Sequence, residues 1–353
     1  MRRYRLIVKL VTLLIISCFG IAPTALCQGI LLAAAKHNGK WGFIDVRGNW
    51  RIPATYTYCD AFSEGRARVK QGGKWGYIDV TGGFTVLLQY EDARPYSLGL
   101  APVKFRDGWG YINLSGDTVL RGPYDDARCF RNGFARVRQY GRWGFLTPNG
   151  EWALNPQYEH AWWFSDGFAA VQLDGRFGYI QANGEWLVRP RFDFAGPFSE
   201  GLAVVHLNGL AGTLNQLGKW NFKPRYLTLS RHHEGRFTAR DTSGLWVLLN
   251  TQGQRMKTLS ASWVGPFYPS GLAAFTALGQ YGYIDRFGKV KTTAGQPPLG
   301  PVANGYCSVY VQGRYGYFNE SFKLVLGADY EGAGPFHDIN ATLDRPFNLE
   351  LIY

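Results

Sequence analysis

The side chains of this 353-residue chain that could do chemistry are few and scattered. The six histidines, His37, His160, His206, His232, His233 and His337, fall in no H-x-x-x-H, H-E-x-x-H or Cys-His spacing of a metal site. His232-His233-Glu234 is the one cluster; it reads as a solvated loop, with metal ligation the alternative. Cys18, Cys27, Cys59, Cys129 and Cys307 are spaced neither as a disulfide framework nor as metal ligands. No G-x-S-x-G elbow or phosphate-cradling P-loop occurs, and no catalytic residue, metal or cofactor is implied. Glu91, Asp125, Glu159 and Asp193 recur at one spacing and could pair for acid/base work, but an acid repeated at the same place is better explained by accepting backbone N–H groups in a loop. Two features suit binding. The adjacent Trp162 and Trp163 could expose an indole as a stacking platform for sugar or peptide, with local packing as the competing role. Arg66, Arg68 and Lys70, with Arg131, Arg136 and Arg138, alternate with apolar residues and would form a positive stripe suited to an anionic polymer, or else a solvated face.

The elements that must carry these residues are repeated. KWGFIDVRG at 40–48 recurs as KWGYIDVTG at 74–82, GWGYINLSG at 108–116, RWGFLTPNG at 142–150 and RFGYIQANG at 176–184, always 34 residues apart. Weaker copies follow at 210–218, 245–253, 280–288 and 314–322, which makes nine. The signature positions are Trp41-Gly42, Trp75-Gly76, Trp109-Gly110, Trp143-Gly144, Gly178 after Phe177, Trp246, Gly282 and Gly316. In the copy at Ala211 the aromatic is missing, and at Trp246 the glycine is replaced by Val247. Ten residues before most copies stands Gly-x-Ala, as in Gly65-Arg66-Ala67. After each turn comes an aromatic (Tyr56, Tyr90, Tyr124, Tyr158, Phe192, Tyr226), usually with proline shortly before it.

This pattern, G-K-W-G-[YF]-I-D-x-x-G and then aromatic-acid-x-Ala-x-x-Phe-Ser-x-Gly-Leu-Ala-x-Val, resembles the WG-repeat family of bacterial proteins over about residues 31–353. The resemblance is specific for the repeat and implies no reaction.

Local periodicity gives the fold class. Ala67–Gln71 and Ala135–Gln139 alternate apolar and polar residues as half-buried strands do, and pairs such as Gly72-Gly73 and Asn208-Gly209 supply the positive φ of a tight hairpin. Each unit therefore reads as a three-stranded β-meander with a return of about a dozen residues, and the chain as all-β. The array is expected to close into a large β-propeller-like toroid, the alternative being an open β superhelix. The small residue of the Leu-Ala-x-Val strand places that strand nearest the axis, and the indoles are expected to pack units together.

Residues 1–27 read as a secretory signal peptide: Arg2, Arg3, Arg5 and Lys9, then an apolar run to Ala22, then Ala25-Leu26-Cys27 before a cleavage point at Gln28. A lipid anchor at Cys18 is the alternative. This segment holds four of the 38 Lys and Arg and none of the 26 acids, so the formal charge falls from +12 to +8 without it. Residues 28–353 would then form one repeat domain of nine units and a partial tenth, with Ala341-Thr342-Leu343 and Leu349–Tyr353 as its two strands. The expected role is a secreted or periplasmic, non-enzymatic scaffold binding a protein or polysaccharide of the cell envelope. Nucleic acid is not the expected partner, and no transmembrane span remains in the mature form. A hydrolase or lyase acting on envelope glycan is the alternative.

Overall fold

A computed structural model describes residues 30–294 and 302–339. The signal-peptide segment, Cys18 and the two strands expected of a tenth unit lie outside the described residues. Among the described residues there are thirty-six strands and no helix, arranged as nine antiparallel sheets. The nine sheets match the nine W-G copies one for one.

Blade 2 shows the plan. Its strands run Tyr58–Cys59, Arg66–Gln71, Lys74–Asp79 and Phe84–Tyr90, in that order across the sheet. The last strand is exposed along much of its length and forms the outer edge. The two-residue strand forms the inner edge, its second residue (Cys59, Ala93, Ala127, Ala161, Ala195) buried in successive blades. The return segment therefore contributes a fourth strand that the sequence pattern does not announce. The Leu-Ala-x-Val strand, expected nearest the axis, stands second from it, because the short strand intervenes.

The ring closes by mixed parentage. Gly332–Ala333, from the far end of the chain, pairs antiparallel with Leu31–His37 at Ala35↔Ala333 and Lys36↔Gly332, and so supplies the inner strand of blade 1. The array is a nine-bladed propeller, and the open superhelix is excluded.

The turns explain much of the repeat. Six hairpins between the second and third strands carry a non-glycine residue and then glycine, both at positive φ, as at Asn208 (53°) and Gly209 (76°). Such a two-residue turn matches the strands' right-handed twist. In seven of the nine blades an Asp or Asn at the end of the W-G strand opens the next turn: Asp79 Oδ1 accepts the amides of Thr81 and Gly83 at 2.9 and 3.1 Å, and Asn215 Oδ1 those of Leu217 and Lys219. The recurring acids fasten the first hairpin instead. Asp125, Glu159 and Glu331 accept the amides of Gly141, Gly175 and Gly39 at 2.8, 2.9 and 2.8 Å.

The glycine of the W-G pair is set by crowding. In blade 4, Trp143 faces Tyr158 and Phe145 faces Leu154, so three outer-strand residues bulge opposite Gly144 alone. A Cβ on Gly144 would sit 2.6 Å from the Leu154 oxygen and 2.7 Å from the Pro156 nitrogen. In blade 7, where Val247 replaces the glycine and the outer strand has no proline, Val247 pairs plainly with Thr258 and this bulge is gone. Blade 6 keeps Gly212 and the bulge despite Ala211.

A candidate ligand-binding wall on blades 2 to 5

Neighbouring blades are tied by side chains that recur. Tyr77, Tyr111, Tyr179 and Tyr317 donate their hydroxyls to the carbonyls of Arg94, Arg128, Gly196 and Gly334 in the next blade at 2.7 to 2.8 Å. Ser63, Ser97, Ser165 and Ser199 do the same to Tyr96, Phe130, Phe198 and His232. Blade 4 has Arg131 in the serine slot, and Asn132 takes over, its side-chain amide donating to the Phe164 carbonyl at 2.7 Å. These contacts build the ring and repeat around it. Ligand recognition is to be sought where the repeat is broken.

The strongest break lies on the inner strands. The residue following the two-residue inner strand is Asp60, Arg94, Arg128 and Trp162 in blades 2 to 5, but Gly196, Ser230 and Gly334 in blades 6, 7 and 1, and Gly265 holds the matching slot within the longer inner strand Trp263–Phe267 of blade 8. The middle of the second strand holds Arg68 and Arg136 in blades 2 and 4, and Ala34, Ala170, Ala274 or Ser308 in blades 1, 5, 8 and 9. One sector of the inner wall thus carries guanidinium groups where much of the remainder carries methyl groups, hydroxyls or hydrogen.

These arginines form a connected network. Arg68 binds Asp60 at 2.7 Å and donates to the Ala93 carbonyl of blade 3. Arg94 and Arg128 share one carboxylate, Asp126, at 2.7 and 3.1 Å, and Arg94 also donates to the Ala127 carbonyl. Arg136 reaches the Ala161 carbonyl of blade 5 at 2.6 Å. Aromatic faces support the cations: Arg94 lies 4.3 Å from the Trp109 ring centroid, Arg131 lies 4.3 Å from that of Trp163, and Arg128 and Arg136 each lie 5.8 Å from that of Trp143. Burial and then the nearby Arg128 charge lower the Arg94 guanidinium from its usual range. Burial raises the Cys129 thiol, and the charges of Arg94, Arg68 and Arg128 oppose that rise. On the same sector, a groove of about 570 Å³ between blades 2 and 3 is lined by Lys74, Lys104 and Arg106 with Glu91.

Trp162 and Trp163 do not form an exposed platform. They are 8% and 6% exposed, packed edge to face against each other with centroids 5.4 Å apart, and capped by Arg131 and Arg136. That expectation is corrected, because the preceding blade supplies the covering side chains. Of the two basic stripes, Arg68, Arg131 and Arg136 join the network, while Arg94 and Arg128 enter it from what read as loop positions. The W-G indoles are packing residues: Trp75 and Trp109 are buried, Trp41, Trp143 and Trp246 half-buried, and Tyr58 lies between Trp41 and Trp75, tilted to the first and edge-on to the second. Gly42, Gly76, Gly110, Gly178 and Gly316, like Gly144, meet the outer-strand backbone, and Gly282 pairs with Thr293 in blade 8.

The histidine cluster also differs from a solvated loop. His232 is buried, and Nδ1 of His232 and of His233 face the two oxygens of Glu200 at 3.2 and 3.1 Å, while Glu234 pairs with Arg286. Burial lowers His232 and Glu200 opposes this. Among the described residues no group of three or more His, Cys, Asp or Glu is arranged to hold a metal ion. Cys59 and Cys307 are buried, and burial pushes the Cys307 thiol up to about 11.

The WG containing repeat matches residues 41–75, 75–108, 109–143, 143–177, 177–210 and 315–338. The chain belongs to the WG containing repeat family. No curated protein matches the chain in sequence. Among solved structures, a eukaryotic initiation factor is 10% identical with a TM-score of 0.59, over 88% of this chain and 96% of that one. The dihydro-heme d1 dehydrogenase NirN, solved in complex with DHE, is 11% identical with a TM-score of 0.50, over 88% and 75%. At these identities the likeness is one of fold. In this WG-repeat propeller no helix among the described residues is long and apolar enough to cross a membrane.

Proposed function

We propose that this WG-repeat protein is a secreted or periplasmic, non-enzymatic scaffold that binds a protein or polysaccharide of the cell envelope through the inner wall of blades 2 to 5. The observation that carries the reading is the departure of that sector from the repeat. The same backbone slots accept glycine, serine or alanine elsewhere in the ring, so the propeller plan does not itself call for arginine there, although Arg68, Arg94 and Arg136 also tie their blades to the next. Two guanidinium groups on one carboxylate leave this sector with an excess of positive charge, which suits an anionic partner. The basic residues and apolar run of 1–27, followed by a small-residue cleavage point, support export. The test is a screen of the purified protein against a glycan array together with a peptidoglycan pull-down. Retention of a polymer without turnover is expected. Release of product from a polymer that is not retained would replace the scaffold with a hydrolase or lyase.

A further inference from the structure

Resting on that reading, the wall can be assigned a ligand chemistry. The guanidinium groups follow one another through shared neighbours: Arg68 donates to the Ala93 carbonyl next to Arg94, Arg94 and Arg128 share Asp126, Arg128 and Arg136 share the Trp143 ring, and Arg136 and Arg131 share the Trp163 ring. Cations therefore succeed one another from blade 2 to blade 4 along one arc. Several of these groups are stacked on an aromatic face, which holds the planar fork in place. A fork so held loses little entropy when it accepts a planar or tetrahedral oxyanion through two parallel N–H groups. A row of such forks fits a chain that carries an oxyanion on successive units.

We propose that the arc formed by Arg94, Arg128, Arg136 and Arg131, flanked by Arg68 on its Asp60 partner, is a binding site for an acidic polysaccharide, its carboxylate or phosphate groups held by the guanidinium row. Recognition then depends on charge placement in blades 2 to 4 and not on an aromatic sugar platform, since the indoles of Trp162 and Trp163 lie beneath the arginines.

The repeat supplies its own control. Arg128→Gly, Arg136→Ala and Arg131→Ser each install the residue that another blade carries in the same slot, namely Gly196, Ala170 and Ser165. The full-length protein and the triple variant are titrated by calorimetry with trigalacturonate and with inorganic phosphate at fixed ionic strength, and tested for retention on polygalacturonate and on peptidoglycan. The wild type should bind trigalacturonate or phosphate, the preferred one naming the anion's source, and the triple variant should bind it more weakly by at least about tenfold, since one charge-assisted hydrogen bond is worth that much. Should the triple variant fail to fold, Arg131→Ser alone is expected to weaken binding severalfold. Equal binding by wild type and variant, or no binding of either anion, overturns the proposal. Polymer retention that is indifferent to the reversions would overturn the oxyanion site while leaving the scaffold standing. Anion binding that is lost in the variant, with no polymer retained, would support the site and overturn the scaffold reading. Binding of an acidic peptide such as oligoglutamate in preference to both anions would overturn the assignment to polysaccharide.

Discussion

Replacing Gly144 by alanine separates crowding from backbone conformation as the reason for glycine in the W-G pair. The added Cβ would fall 2.6 Å from the Leu154 oxygen, 2.7 Å from the Pro156 nitrogen and 2.9 Å from the Asn155 carbonyl carbon. All three are backbone atoms of the outer strand, and the pairs Trp143↔Tyr158 and Phe145↔Leu154 hold that strand on both sides of the contact. Relief therefore requires moving the bulge, and overpacking of this kind costs about 1–3 kcal/mol, toward the upper end where the obstacle is backbone. At about 2.1 cal/mol/K of unfolding entropy per residue, a domain of roughly 320 residues shifts by about 1.5 °C per kcal/mol, so a fall of about 3–5 °C in Tm follows. Gly133→Ala is the comparison. Its φ is +85° and nothing lies within 4 Å of the added carbon, so only the left-handed backbone is penalised, at about 1–2 kcal/mol. Scanning calorimetry of the two variants and the wild type decides the matter. Gly144→Ala should melt below Gly133→Ala. The reverse order, or a Gly144→Ala melt within 1 °C of wild type, would refute crowding as the cause.

Other outcomes follow from the same structure. Trp162→Ala empties a buried ring position and should cost about 3–5 kcal/mol by denaturant unfolding; a cost under 1 kcal/mol would mean the indole is not packed. Arg131→Ser removes a guanidinium from the Trp163 ring and restores the serine that blades 2, 3, 5 and 6 carry, while Asn132 keeps the tie to the next blade, so stability should fall by less than for Trp162→Ala. His206, His232 and His337 are all lowered from the usual histidine range, chiefly by burial, so the unfolded chain takes up protons before the folded one as pH falls. Their contribution is complete above about pH 6.5 and is lost below it. Tm should accordingly fall between pH 7.5 and 5.5, and by less in His206→Gln; an unchanged or rising Tm would contradict this. Mass spectrometry of the exported protein should find Gln28 as the first residue, whereas an acylated Cys18 or a retained Met1 would remove the signal-peptide reading.

The fold was largely legible because one motif is counted nine times. Glycine spacing located the turns, and strict alternation in segments such as Ala135–Gln139 identified strands. Closure was less accessible, since it depends on summed small rotations between blades and on a pairing between residues 35 and 333. The fourth strand escaped notice because two residues, such as Asp126-Ala127, are too few to show a period. The wall was half visible. Arg68 and Arg136 stand out on alternating strands, but Arg94 and Arg128 read as loop residues until each slot is compared around the ring, where Gly196, Ser230 and Gly334 make them conspicuous. Trp162 and Trp163 misled because their cover, Arg131 and Arg136, comes from more than twenty residues earlier in the chain.

Hydrogen exchange of the protein with and without polygalacturonate, and with and without peptidoglycan, tests the assignment of the binding face most directly. New protection confined to the inner edge of blades 2 to 5, from Tyr58–Cys59 through His160–Ala161 and the segments that follow these short strands, is the expected result. Protection centred on the outer strands, or on blades 6 to 9, would place the partner elsewhere and contradict the arginine wall as its site.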